Sequence, residues 1–504
     1  MAPKKSRVVA EFGDFQTPDE LANQVVALLS RLGVEPATVI EPSCGRGAFL
    51  EAAANVFPKA RLAGFDINAD YLQRSAERLA GHPDLSLTLS SFFRQDWETY
   101  IAQCPRPLLV LGNPPWVTNS ELGQLGSDNL PTKTNFQNHK GLDAVTGKSN
   151  FDISEWMLLE NLKWLERDGG ILAVLCKTAV ARKILASAWK RTAPIKDARI
   201  YRINALASFG AAVDACLLYL VVERTPALQQ CAVYDSLDSQ QPSGLFGFAD
   251  GKAVSNMDDY RDHHHLFGIN KNYTWRSGVK HDCSKVMEFT LAEGILTNGY
   301  GARVDIEDTY LFPLFKSSDI AGAKRIDRRK YVLVTQRAVG DETDSIRENA
   351  PRTWKYLLQH SDALDNRTSV IYKNKARFSI FGVGDYTFAP WKIAISGLYK
   401  SLSFKLYGPI EGKPVCFDDT AYFLPFSVED EARAALDLLQ SPAAQSFLKS
   451  MIFWDEKRPI TVDVLKRLDM AKLAQSEGRS EDIDGHRFHS KRQTHHEGQL
   501  SLLV

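Results

Sequence analysis

Thr38-Val39-Ile40-Glu41-Pro42-Ser43-Cys44-Gly45-Arg46-Gly47-Ala48-Phe49-Leu50 decides the fold. A short apolar run ends in an acid and a proline. Two glycines follow, one residue apart, and then an apolar stretch begins. This is the pattern of a strand, a tight turn and the start of a helix. The glycines permit a sharp turn and a close approach of backbone to a ligand. A dinucleotide-binding loop would carry G-x-G-x-x-G. Here the pattern is E-P-x-x-G-x-G-x-F-L.

Downstream, Arg61-Leu62-Ala63-Gly64-Phe65-Asp66-Ile67 reads as the next strand. Its acid falls about 20 residues after the glycines, the separation expected of a ribose-binding carboxylate. A strand-end aspartate is equally suited to capping the helix that follows. Leu85 to Leu89 reads as a third strand, with Ser90-Ser91-Phe92-Phe93 at its end. Leu109-Val110-Leu111-Gly112-Asn113-Pro114-Pro115-Trp116 reads as a buried fourth strand that stops abruptly. Open α/β sheets bind ligands beyond the carboxyl ends of their strands. There the Asn113 amide can accept a hydrogen bond from an exocyclic amine, and the Pro114 carbonyl is a second acceptor. Pro115 restricts the backbone between them. Trp116 can stack on a flat ring. The tip suits a planar substrate with an NH2 group conjugated to its ring, or else it is only a strand-ending turn.

Upstream, Phe15-Gln16-Thr17-Pro18 precedes an amphipathic run through Leu21, Val25, Val26, Leu28, Leu29 and Leu32. Thr17 fits an N-cap, with Pro18 at the first helical position. Residues 117–150 are polar and rich in Asn, Gly and Thr, which reads as a substrate-covering loop. Counting onward gives strands at 38–41, 61–66, 85–89, 107–112, 171–176, 198–203 and 213–222. The last two form a hairpin around Phe209-Gly210. The expectation is an α/β, doubly wound, seven-stranded sheet with an antiparallel last strand.

Together, E-P-x-x-G-x-G and N-P-P-W resemble motifs I and IV of the gamma-class adenine-N6 DNA methyltransferases of TaqI type. The resemblance spans residues 15–222. It implies a Rossmann-like class I methyltransferase domain over 1–225 that uses S-adenosyl-L-methionine. In that family Thr17 and Pro18 correspond to motif X and pack on the cofactor. Glu41, Pro42, Ser43, Cys44, Gly45, Gly47 and Phe49 correspond to motif I, which holds its methionine part. Asp66 would take the ribose hydroxyls, and Ile67 would pack on the adenine. Ser91-Phe92 stands where the family has Asp-Phe reading the cofactor adenine; Asp96 is the alternative. Asn113 and Pro115 also border the cofactor. Asn113, Pro114, Pro115 and Trp116 would carry catalysis on a flipped-out adenine. Trp116 would stack on one face of that base, and Trp156 or Phe151, at the start of the next helix, on the other. Aromatics so placed equally serve to pack that helix on the sheet. Lys177 stands where the family often has proline.

Residues 226–262 read as a linker, with Gln-Gln, Ser, Pro and Asp clusters. From 263 to 475 aromatic and basic residues interleave, as in Lys324-Arg325-Ile326-Asp327-Arg328-Arg329-Lys330 and Tyr372-Lys373-Asn374-Lys375-Ala376-Arg377-Phe378. Such clusters suit phosphate contacts, although any one of them also fits a solvated surface. Strands are expected at Tyr331–Thr335, Phe378–Phe381, Trp391–Ser396 and Val415–Phe417. The run from Phe381 to Ile393 resembles the C-terminal specificity domains of the TaqI-type group. That implies a mixed α+β target-recognition domain. Residues 476–504 read as a flexible tail. It ends in Gln499-Leu500-Ser501-Leu502-Leu503-Val504, which looks like a sliding-clamp-binding peptide.

With 61 basic and 61 acidic residues in 504, any nucleic-acid contact relies on local surfaces rather than bulk charge. Seven cysteines, an odd number without C-x-x-C, argue against a disulfide framework and fit a reducing cytoplasm. No signal peptide or membrane span is evident. His263-His264-His265 cannot converge on one ion, so no metal site is expected. The partner implied is double-stranded DNA; either a restriction endonuclease is a separate chain or the enzyme is solitary. The competing readings are an RNA adenine or protein glutamine methyltransferase, and a cofactor-binding, non-catalytic DNA-binding subunit.

Overall fold

The computed structural model describes residues 16–117, 152–224, 229–270, 272–322 and 329–482. The chain divides into two compact units, Met1–Met257 and Asp258–Val504.

The first unit runs α1 (Asp19–Arg31), β1 (Thr38–Glu41), α2 (Ala48–Val56), β2 (Arg61–Asp66), α3 (Ala69–Arg78), β3 (Leu85–Leu89), α4 (Trp97–Ala102) and β4 (Leu108–Gly112). It continues with α5 (Ile153–Asp168), β5 (Gly170–Lys177), α6 (Thr178–Lys190), β6 (Ile195–Ile203), α7 (Ala205–Phe209) and β7 (Ala215–Val222). Strands β1 to β5 are parallel and lie in the order β3-β2-β1-β4-β5. β7 inserts antiparallel between β5 and β6. β1 and β4 are buried along their whole length. That is why they read as unbroken apolar runs. This is the Rossmann-like class I methyltransferase architecture. The strand order reverses between β1 and β4, so the crevice for a ligand lies beyond their carboxyl ends.

The sheet is larger than seven strands. β8 (Gln230–Tyr234), β9 (Gly244–Ala249) and β10 (Lys252–Val254) extend it to ten, with β8 parallel to β6. Residues 226–262, expected as a linker, therefore contribute three strands to this sheet. Tyr234 stacks on Tyr201, with ring centroids 4.5 Å apart, and Arg31 donates to the Leu237 carbonyl at 3.3 Å. The polar cluster that suggested a linker is the turn between β8 and β9.

The second unit is mixed α+β. Its strands are β11 (Arg276–Ser277), β12 (Glu288–Ala292), β13 (Ile295–Asn298), β14 (Leu311–Phe315), β15 (Arg329–Leu333), β16 (Trp391–Ser396), β17 (Lys405–Tyr407), β18 (Cys416–Phe417) and β19 (Ala421–Phe426). They form a five-stranded sheet, β13-β12-β15-β14-β18, and a four-stranded one, β11-β19-β16-β17. The strand expected at Phe378–Phe381 does not form. Phe378 has φ +63°, outside the β region, and only Phe381 makes an isolated bridge, to Lys280. At Gly382, with φ +68°, a Cβ would collide with the Gly278 carbonyl, so two backbones cross where no side chain fits.

All seven cysteines are free thiols. No helix among the described residues is long and apolar enough to cross a membrane. Phe151 and the peptide Gln499–Val504 lie outside the described residues.

Candidate active site

The glycine turn and the end of β2 are joined by one carboxylate. Gly45 and Gly47 have φ +50° and +79°. A Cβ on Gly47 would lie 2.8 Å from Ser75 Oγ, so both the conformation and the space require glycine. Ser75, on α3, donates to the Gly45 carbonyl at 3.0 Å. Asp66 Oδ2 accepts from Gly45 N at 2.8 Å, and Oδ1 from Asn68 N at 2.9 Å. Asn68, and not Asp66, caps α3 by accepting from Asp70 N and Tyr71 N. The helix-cap reading of Asp66 is thereby removed. Ile67, next in the chain, is 43% exposed at the strand tip.

Glu41 ends β1 and is 3% exposed. Its Oε2 is buried and has no hydrogen-bond partner among the described residues. Burial pushes its carboxyl well above the usual range and the Asp66 charge adds to that, while the Leu50 N–H opposes. A Cβ on Gly112 would lie 3.3 Å from Glu41 Cγ, so this acid also touches the end of β4. The Cys44 thiol is buried and pushed upward by burial and then by Glu41 and Asp66, which keeps it protonated and unreactive. Pro42 is buried and Ser43 half-buried. Phe49 is fully buried in the core of the unit. It supports the loop from behind.

Thr17 does not cap α1. The helix begins at Asp19 with Pro18 as its N-cap and no side-chain cap. The Thr17 hydroxyl instead accepts from Asn113 Nδ2 at 3.3 Å. With its NH2 group placed on Thr17, the other end of the Asn113 amide is an acceptor. Pro114 is buried and Pro115 half-buried.

Trp116 is not the exposed aromatic that its place after two prolines suggests. It is 5% exposed and packs edge-on against Phe209 of α7, with centroids 5.2 Å apart. Trp156, on α5, packs on the aromatics after β3: its ring is 5.2 Å from Phe93 and 5.8 Å from Phe92. Phe92 is itself buried and stacks on Trp164 at 5.7 Å. Ser91 Oγ accepts from Phe93 N at 3.2 Å. Asp96 is the N-cap of α4, accepting from Thr99 N at 3.1 Å. These hydrogen bonds from Thr99 hold its carboxyl below the usual range. Phe209 went unnoticed in the sequence because it reads as part of a hairpin turn. Lys177, noted in the sequence only as a departure from the family's proline, pairs with Asp152 at 2.6 Å and donates to the Trp116 carbonyl.

The chain matches no family model. It is 45% identical over 467 residues to the Type II methyltransferase M.NspV of Nostoc sp. (strain ATCC 29411 / PCC 7524), a match spanning 92% of this chain and 97% of that one. A stretch of 114 residues is 26% identical to the Type II methyltransferase M.XamI of Xanthomonas campestris pv. amaranthicola, over 22% of this chain and 21% of that one. Among solved structures, the Type IIL restriction-modification enzyme MmeI in complex with DNA aligns with 83% of this chain and 60% of its own, at 12% identity and a TM-score of 0.46. The M protein of the Type I restriction enzyme EcoKI aligns with 44% of this chain and 48% of its own, at 15% identity and a TM-score of 0.32. Similar to M.NspV across nearly its whole length, the chain belongs to the Type II methyltransferases.

Proposed function

We propose that this methyltransferase is site-specific for DNA and moves a methyl group from S-adenosylmethionine to adenine N6. The observation that carries the reading is the Asn113 amide, held by Thr17 at the tip of β4. That tip touches Glu41, and Glu41 neighbours the loop tied to Asp66.

The residues fit the cofactor. The open Glu41 Oε2 suits the ammonium of its methionine part. Asp66 suits the ribose hydroxyls, and exposed Ile67 suits the adenine face. Ser91 is the remaining candidate for the adenine edge, since Asp96 is occupied as a helix cap. When bound, the cofactor supplies a methyl group on a positively charged sulfur.

Asn113 oxygen and the Pro114 carbonyl accept the two N–H protons of the adenine amine. Ring conjugation makes that nitrogen a poor nucleophile. Holding both protons draws its lone pair out of the ring and aims it, so positioning and electrostatics supply the rate. No covalent nucleophile is involved. The target adenine leaves the duplex to reach this tip. Phe209, packed against Trp116, takes the place first given to Trp156 as the second aromatic wall. The second unit is the target-recognition domain, and a cognate endonuclease is a separate chain.

The test is transfer of labelled methyl groups to plasmid DNA, followed by long-read sequencing for modified adenines. Wild type should mark one recurring sequence. A wild type that binds the cofactor yet methylates only RNA or protein, or nothing, overturns the reading.

A further inference from the structure

We propose that Lys177, paired with Asp152, is a positioning residue that sets the Asn113–Trp116 segment for methyl transfer. The proposal rests on the reading of that segment as the amine-binding tip.

The ladder between β4 and β5 ends at Gly112↔Val174. Asn113 to Trp116 therefore lie past the sheet, without strand pairing to fix them. Three residues further along β5, Lys177 reaches across this gap. Its ammonium donates to the Trp116 carbonyl at 3.2 Å and to Asp152 Oδ2 at 2.6 Å. Asp152 in turn caps α5, accepting from Ser154 N at 3.1 Å. Ile153 N donates to the Val117 carbonyl at 2.9 Å. One ammonium thus ties together the exit of β4, the start of α5 and the end of β5.

Local structure does not ask for lysine here. Lys177 is the N-cap of α6, which has no side-chain cap. A helix N-terminus is the positive end of its dipole and favours Ser, Thr, Asp or Asn. A cation at that position is disfavoured unless a carboxylate compensates it. The two side chains are only 27% and 10% exposed, so the pair is largely withdrawn from water. Pairs of this kind add little net stability, yet losing one partner leaves an uncompensated charge. Their value lies in fixing geometry. The carbonyl that Lys177 holds belongs to Trp116, two residues beyond Pro114, whose own carbonyl is an acceptor for the substrate amine.

The experiment compares Lys177→Met, Lys177→Arg, Asp152→Asn and the Lys177→Met/Asp152→Asn double variant. For each, kcat, KM for S-adenosylmethionine and for DNA, and melting temperature are measured on the full chain. A fluorescent purine analogue at the target position reports base flipping. A displacement near 1 Å at a reacting centre costs about 100-fold, so Lys177→Met should lower kcat about 10- to 100-fold. KM for the cofactor should stay within about twofold, because the glycine loop is untouched. Lys177→Arg should recover most of kcat, and the double variant should be no worse than Lys177→Met, since both remove one coupled pair. Should Lys177→Met fail to fold, Asp152→Asn makes the same test, because its oxygen still caps α5. A folded variant with kcat within about threefold of wild type overturns the clamp, as does a loss confined to melting temperature or cofactor KM. A wild type that transfers nothing to DNA overturns the reading of the tip, and the clamp with it.

Discussion

Two glutamates, one in each unit, have opposite fates. Glu307 accepts from Arg352 N at 2.9 Å, from Thr353 N at 2.8 Å and from Thr353 Oγ1 at 2.8 Å. Burial works to raise its carboxyl, but these donors outweigh it and pull the group down to about 2. Glu41 is buried with one oxygen that has no partner among the described residues, and burial pushes its carboxyl well above the usual range. A carboxylate with a full set of donors is part of the architecture. A buried one with an oxygen left without a partner among the described residues is, on the proposed function, the group that receives the cofactor's ammonium. A buried polar atom without a partner costs about 1–3 kcal/mol, and a ligand that completes it is one way a fold recovers that cost. The contrast sets the proposed cofactor site apart from a structural joint with the same side chain.

The largest effect expected on the ligand side comes from Asn113→Ala. It should lower transfer about 1000-fold, on the scale of losing a preorganised hydrogen-bonding group, while isothermal titration finds cofactor binding nearly intact. Activity within about threefold of wild type would remove Asn113 from the chemistry. Glu41→Gln comes next and acts on binding. Cofactor affinity should fall about 10- to 100-fold, the size of one buried charge-assisted hydrogen bond. The apo variant should melt no lower than wild type at pH 8. The sign follows from linkage. A carboxyl whose folded pKa is raised contributes stability fully below its ordinary value of 4.5 and loses it as pH rises through the raised value. Glutamine does not ionise, so the variant escapes that loss. Over the same pH window wild-type affinity for the cofactor should climb, while the variant's stays flat. A Glu41→Gln protein that binds as well as wild type would make the open oxygen a packing accident.

How much of this was legible in the sequence follows from what each residue's neighbours are. The central strands were readable because a strand buried on both faces is apolar throughout: Leu108–Gly112 lies within the run expected at 107–112. β8 to β10 were not, because short outer strands joined by Ser, Gln and Pro look like loop. Thr17 has good capping chemistry, and nothing local reveals that its hydroxyl meets Asn113, 96 positions away. Trp156 and Phe209 are both aromatics near helix ends, and only the sheet order brings Phe209 to Trp116. Phe378 sits in a strand-like run, but its left-handed backbone is set by contacts such as Thr335 Oγ1 on its carbonyl at 2.8 Å. At Thr17 and Phe378 a tertiary contact overrode a correct local preference.

The smallest effect belongs to the structural side of the comparison. The helix Pro351–Gln359 has Ala350 at its N-cap and no cap from within its own segment. Glu307 supplies it from a distant part of the chain, with a side chain 17% exposed. Glu307→Gln keeps the shape and removes the charge that strengthens those three hydrogen bonds. The loss should be about 1 kcal/mol at pH 7, the usual worth of a helix cap. Here the linkage runs opposite to that of Glu41. A folded pKa of about 2 against an ordinary 4.5 means the stabilisation is present above 4.5 and drains as pH falls toward 2. Melting curves of wild type and variant should therefore converge as pH is lowered through that interval, and cofactor binding at pH 7 should be unchanged. A gap between the curves that stays constant with pH would mean that shape, and not charge, completes Glu307, and the two glutamates would then differ only in burial.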